Sequence, residues 1–239
     1  VSQNIKNALK NKDKGVVLAD STRVKAGSLE RGEVAQVVMS PGRKGFPKTL
    51  LGFDMGRDWN PLMQIIQQRS PALLVTDGDD PVASAHSRLA SPIPRQRCQW
   101  HMAHQGRHFL FQDGLAAKYH KPFLRRVKKI LFQPQQNPQR KWETLIRRLK
   151  NAGLHETAAH FRNAAPFLWT HQMFRHAVPT TTSLVEREMR EINRRTDVGV
   201  RWSVPGVRNL LNLNLGVRYR TASWENLTTE GPDSDERLE

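Results

Sequence analysis

The stretch Ala72-Leu73-Leu74-Val75-Thr76-Asp77-Gly78-Asp79-Asp80-Pro81 decides how this chain folds. Residues 72–76 form a short apolar run, the pattern of a strand covered on both faces. Asp77 ends the run directly, and Asp80 before Pro81 reads as a helix cap with proline at the first helical position. Val82, Ala85 and Leu89 then share one helix face. Upstream, Trp59, Leu62, Met63 and Ile66 mark another one-faced helix. Residues 16–24, 34–39 and 49–53 read as three strands, separated by the Pro41-Gly42 turn and Pro47. Downstream, Gln96-Arg97-Cys98 makes one more short strand. The order is βββαβαβ, an α/β unit.

From His104 to about His176 the pattern turns helical and basic, with expected breaks at Pro122, Pro134, Pro138 and Pro166. The α/β pattern does not return. Pro179-Thr180-Thr181-Thr182-Ser183 leads into a helix bearing Glu186, and a last helix spans roughly 204–217. The expected organisation is therefore an upstream remnant at 1–15, a first core segment at 16–103, a basic all-α insertion at 104–178, core completion at 179–220 and a disordered acidic tail at 221–239.

The chain carries a net charge of +16 with a pI near 10.7, which points to a polyanionic partner. Residues 225–239 hold six acids against Arg237, whereas residues 104–176 hold 14 Lys and Arg against 3 acids. A single cysteine, Cys98, rules out an intramolecular disulfide and fits a reducing compartment. No apolar run reaches membrane-spanning length.

Two acids end buried-looking strands, Asp20 after Val16-Val17-Leu18-Ala19 and Asp77 after residues 72–76, and Glu186 opens a distant helix. Three such carboxylates can converge on a pair of divalent cations held against a phosphodiester. Asp54 and Asp58 compete with Asp20 for the first place. Asp79 and Asp80 read as turn formers; a calcium loop beginning at Asp77 fails, with Val82 at position six and Arg88 at position twelve. Ser183-x-x-Glu186 also has the form of a capping box.

The blocks Leu74-Val75-Thr76-Asp77-Gly78, Gln96-Arg97-Cys98-Gln99-Trp100-His101 and Thr181-Thr182-Ser183-Leu184-Val185-Glu186-Arg187-Glu188-Met189-Arg190-Glu191-Ile192 resemble the core of Mutator-type bacterial insertion-sequence transposases. The resemblance covers roughly residues 16–213. It implies a ribonuclease-H-like catalytic core interrupted by an all-α insertion, with Asp20, Asp77 and Glu186 as catalytic and metal-binding triad and Cys98 and His101 as its nearby Cys-x-x-His pair. It further implies Mg²⁺ or Mn²⁺ as cofactor, two-metal cleavage of element ends, strand transfer into target DNA, and a homodimer or larger synaptic complex. The family's basic residue seven positions after the Glu is replaced here by Asn193, flanked by Arg190 and Arg194.

The expected partner is double-stranded DNA, from element ends and target, in a cytoplasmic, nucleoid-associated setting. Phosphate contacts are assigned to Arg190, Asn193 and Arg194, and in the insertion to Arg125, Arg126, Lys128, Lys129, Arg147, Arg148 and Lys150. Trp100, Trp169 and Trp202 are candidates for stacking on bases or for core positions. Cys98, His101, His104 and His108 offer zinc donors as an alternative to an active-site-shaping role. A metal-dependent nuclease without strand transfer and a non-catalytic, decayed DNA-binding protein are the rival readings.

Overall fold

The structure, a computed structural model, describes residues 15–27, 32–42, 48–134, 136–197 and 201–219. The expected upstream remnant, save Gly15, and the acidic tail lie outside the described residues.

Strands β1 (Val16–Val24), β2 (Glu33–Ser40) and β3 (Thr49–Met55) are followed by α1 (Asn60–Arg69), β4 (Leu73–Thr76), α2 (Asp80–Ser87) and β5 (Arg95–Arg97). Four helices come next: α3 (Gln99–Gln112), α4 (Ala117–Phe132), α5 (Pro138–Asn151) and α6 (His155–Ala164). After two 3-10 turns, α7 (Ser183–Thr196) and α8 (Val204–Tyr219) complete the chain's described part. The fold is mixed α/β, with one five-stranded sheet of order β3-β2-β1-β4-β5. β1 pairs antiparallel with β2 and parallel with β4; β2–β3 is antiparallel and β4–β5 parallel.

Side-chain alternation along the strands builds a core on each face of the sheet. Val17, Ala19 and Leu74 pack with Leu62, Met63, Ile66, Val82 and Ala85 of α1 and α2. Leu18, Val24, Leu73 and Val75 pack on the other face with Val185, Met189 and Ile192 of α7 and Val207, Leu211 and Leu215 of α8. Covering both faces is what made residues 72–76 apolar without alternation, and all four residues of β4 are buried.

A third core belongs to the insertion. Trp142 and Phe161, both fully buried, stack at 4.7 Å between ring centres, and Trp142 Nε1–H donates to the Phe161 carbonyl. Trp169 is buried in the same core rather than available to bases, and Trp202 packs at the edge of the sheet's α7–α8 core. Asp113, just past α3, accepts the Glu156 and Thr157 N–H groups, tying the end of α3 to the start of α6.

Four local expectations are corrected. The division between residues 103 and 104 falls inside α3, one unbroken helix from Gln99, so the insertion grows directly out of β5. Pro122 lies within α4 and does not break it. The bond it removes lies in the helix's exposed opening turns, while buried Val127, Ile130 and Leu131 hold the rest. The cap of α2 is Asp79, with Asp80 already helical, because Asp79 still has extended backbone. The last helix also runs two residues further than expected, to Tyr219, where Arg218 and the Tyr219 hydroxyl meet the buried Glu188 carboxylate of α7.

Candidate active site

Alternation fixes where the first two acids point. Leu18 and Val24 of β1 face α7, so Asp20 and Thr22, at the same parity, face it too. Leu73 and Val75 give β4 the same sense, and Asp77 continues it one residue past the strand. The parallel register pairs Ala19 with Thr76, which sets Asp20 and Asp77 next to each other at the carboxyl end of β4. Both are buried. Crevices beyond the carboxyl ends of strands are where open α/β sheets bind ligands.

Asp77 Oδ1 accepts the Asp79 N–H at 3.1 Å, so Asp77 makes the turn that its neighbours were expected to make. Gly78 within that turn has φ +83°, and a Cβ there would lie 2.6 Å from Nε of Arg97, whose side chain closes over it. The positive φ favours glycine there, whereas the Arg97 side chain could move aside for a Cβ. Asp54 is elsewhere, on β3, paired with Arg208 at 3.0 Å; Asp58 is exposed and accepts the Asn60 N–H.

Glu186 enters from α7, in its first turn and partly buried. It does not close a capping box: the residue ahead of the helix is Thr182, no side-chain cap bond forms, and Ser183 is exposed. The glutamate turns inward instead. His101 on α3 stands between the acids, with Nδ1 4.0 Å from Asp20 Oδ2 and Nε2 3.6 Å from Glu186 Oε1.

Cys98 explains how α3 and α7 meet there. Its N–H donates to the Thr76 carbonyl at the end of β4, and its buried Sγ accepts from the Thr182 N–H at 3.4 Å and hydroxyl at 3.5 Å. The Gln99 N–H donates to the Thr180 carbonyl, and Thr182 Oγ1 lies 3.3 Å from His101 Nδ1. The starts of both helices are thus fastened to each other and to the strand that ends in Asp77. Thr182 is the site residue that sequence reading missed; its only signal was its place in the Thr run before Ser183.

Burial pushes the Asp20 carboxyl above the usual carboxylate range, against the opposing charge of His101 and hydrogen bonds from Thr182 and Ser21. Asp77 is pushed up to about 8, first by burial and then by the charges of Asp20 and Asp79. Burial works against the imidazolium of His101, yet hydrogen bonding to Cys98 and the charges of Asp20, Cys98 and Asp77 hold it up to about 9. Asp20 Oδ2 and Glu186 Oε1 are buried and accept no hydrogen bond. Acids so placed are stabilised by taking up protons or by a cation among them, here the His101 imidazolium.

Asp20, Asp77 and Glu186 offer hard carboxylate oxygens, suited to Mg²⁺ or Mn²⁺. Among the described residues, however, they do not form a group whose donor atoms all lie within 4.8 Å of one another. Cys98, His101 and Glu186 have donor atoms within 4.8 Å of one another, a softer set suited to zinc. His104 and His108 do not join it: both are exposed, His104 stacked on Trp100 and His108 edge-on to Phe109.

The residues expected to meet DNA separate. Asn193 is turned into the fold, its Nδ2 donating to Thr22 Oγ1 at 2.9 Å, which fixes α7 against β1 two residues beyond Asp20. Arg190 is exposed, and Arg194 is exposed and pairs with Glu191 at 3.4 Å. Arg125, Arg126, Lys128 and Lys129 are exposed on α4, and Arg147, Arg148 and Lys150 on α5. Trp100, next to His101, is 42% exposed, with Lys128 Nζ 4.9 Å over its ring. Among the described residues no helix is long and apolar enough to cross a membrane. Compared with known proteins, the chain matches no family model and no curated protein.

Proposed function

We propose that this chain is the catalytic domain of a DNA transposase that uses Asp20, Asp77 and Glu186, with a ribonuclease-H-like core. One observation carries the reading. Two buried carboxylates stand side by side, Asp20 within β1 and Asp77 just past the carboxyl end of the parallel β4, and a third, from a helix 109 positions further on, is drawn to the same imidazole as Asp20. The sheet supports it: an antiparallel three-strand meander continues into two parallel strands, with the first acid on the middle strand of the five.

Asp20, Asp77 and Glu186 would hold divalent cations, which when bound supply Lewis-acid charge for attack on a phosphodiester. The chain's own residues prepare that site. Burial keeps competing water from the two aspartates, and the Cys98–Thr182 link holds His101 and Glu186 in register. His101, as imidazolium, offsets the mutual repulsion of Asp20 and Glu186. The basic helices of the insertion supply affinity for the phosphate backbone with little sequence choice. Partners follow: duplex DNA as substrate and target, and a second copy of the chain where two ends are joined.

The decisive experiment incubates the full chain with supercoiled plasmid and Mg²⁺ or Mn²⁺, followed by an assay for covalently joined duplex ends. Cleavage and joining, both lost in Glu186→Gln and Asp77→Asn, are expected. Cleavage without joining would leave a nuclease of the same architecture. Zinc-dependent cleavage that survives Asp77→Asn but not Cys98→Ser would transfer the site to the Cys98–His101–Glu186 set.

A further inference from the structure

The insertion's cations are not a diffuse coat. On α4, the buried residues His120, Val127, Ile130 and Leu131 cover one side, and the opposite side presents exposed Lys121, Arg125, Arg126, Lys128 and Lys129. At 100° per residue these five span close to half the helix circumference. A cleft of about 500 Å³ runs along each flank. The flank toward α3 is lined by Arg107, Lys121, Arg125 and Lys128. The flank toward α5 is lined by Arg126, Arg140, Lys141 and Arg148. No acid lines either cleft among the described residues. Arg147 and Lys150 lie outside both, on another side of α5.

We infer that α4 is a ridge that enters the major groove of a DNA duplex, with the two flanking clefts receiving the phosphate backbones on either side. The inference deepens the proposed function and rests on it only for the identity of the polyanion. A B-form major groove is about 12 Å wide and admits one α-helix. A helix with cations on both flanks and a depression beyond each matches that cross-section; a flat basic face would not. The ridge of 16 residues is about 24 Å long, within one turn of duplex. Lys128, which lines the α3-side cleft, also lies over the ring of Trp100, the residue before His101 in sequence.

A-form duplex RNA has a major groove too deep and narrow for a helix, so equal electrostatics with different groove shape provide the test. Binding of the full chain is measured with duplex DNA and duplex RNA of one sequence, and with DNA whose major groove is filled by glucosylated hydroxymethylcytosine. DNA is expected to bind at least about tenfold more tightly than RNA, and the filled groove to weaken binding comparably. Netropsin, a minor-groove ligand, should not compete. Two paired variants, Arg107→Gln with Lys121→Gln and Arg126→Gln with Arg148→Gln, should each flatten the salt dependence by about 2 in slope. Equal binding of DNA and RNA, displacement by netropsin, or a response from one flank alone would overturn the ridge. None of these readouts needs cleavage, so loss of the ridge and loss of the transposase reading are distinguishable.

Discussion

The acidic cluster and the basic insertion are opposite solutions to holding charge. Asp20, Asp77 and Glu186 come from three separate elements and turn inward, with Asp20 and Asp77 buried and two carboxylate oxygens left without a hydrogen bond. The cations of α4 and α5 come from two adjacent helices and remain in water, above a core formed by Trp142, Phe161 and their neighbours. Buried like charges perturb one another strongly and cost stability; exposed charges add up weakly and independently. Chemistry needs the first arrangement, because a cation is attracted in proportion to the carboxylate charge left unsatisfied. Backbone binding needs the second, because many small phosphate contacts give affinity that sequence and exact position alter little.

The largest effect expected from this contrast lies in the cluster. Glu186→Gln, or Asp20→Asn, lowers metal-dependent cleavage and joining by about a thousandfold or more, while duplex affinity stays within about twofold. The same changes shift the melting temperature of the metal-free protein little, since each relieves carboxylate crowding but also removes a partner of His101. A variant that melts much earlier and still cleaves would make the cluster structural and dissolve the contrast. Added Mg²⁺ or Mn²⁺ should raise the melting temperature of the parent and leave that of the variants where it was.

Next is the insertion's own core. Trp142→Ala removes the fully buried ring that stacks on Phe161 and is expected to cost about 3–5 kcal/mol. Circular dichroism should show helical signal lost together with duplex affinity. Retained affinity at reduced helicity would mean that the cations bind without the scaffold that arranges them.

The cluster also has a pH signature. Asp77 titrates near 8 when folded against 3.8 as a free group, and His101 near 9 against 6.5. In both cases the folded state binds more protons, so the stability of the metal-free protein falls as pH rises from about 4 to about 9 and levels above it. Divalent cations compete with the Asp77 proton, so their affinity rises over the same window up to about pH 8. Calorimetric titration in two buffers of different ionisation enthalpy measures the protons released; none released at pH 7 would contradict the protonated cluster.

The smallest effects belong to single surface cations. Arg125→Gln or Lys129→Gln should change stability by no more than about 0.5 kcal/mol and flatten the salt slope of duplex binding by about 0.9 each. A single substitution that abolished binding would show the surface to be a specific pocket rather than an additive one.

Much of the sheet was legible because its signals are local. The apolar run at 72–76, the alternation in 16–24 and the one-faced spacing of Trp59, Leu62, Met63 and Ile66 all gave the elements observed. The choice of Asp20 over Asp54 rests on the resemblance, whose fold puts the first acid on the first strand; the structure puts Asp54 against Arg208. Local signals also misled. Pro122 has the form of a helix breaker but lies where packing beyond it holds the helix, and Ser183-x-x-Glu186 has the form of a capping box that the backbone begins one residue too early to close. The role of Thr182 left no periodic trace, since its partners are 84 and 81 positions away.

By itself the sequence determined the strands, the amphipathic helices, the excess of positive charge and the acid that ends β4, because periods of 2 and 3.6 and net charge are properties of neighbouring residues; Asp20, expected at a strand end, lies in the middle of β1. Only the tertiary structure decided which charges meet. The parallel register of β1 and β4 brings Asp20 to Asp77, and the Cys98–Thr182 contact turns Glu186 toward His101. The packing of α4 against α3 and α5 selects Arg126 and Arg148 for a cleft and leaves Arg147 and Lys150 outside it. These are long-range choices, made by burying apolar surface on the far side of each element, and the charges go where that burial carries them.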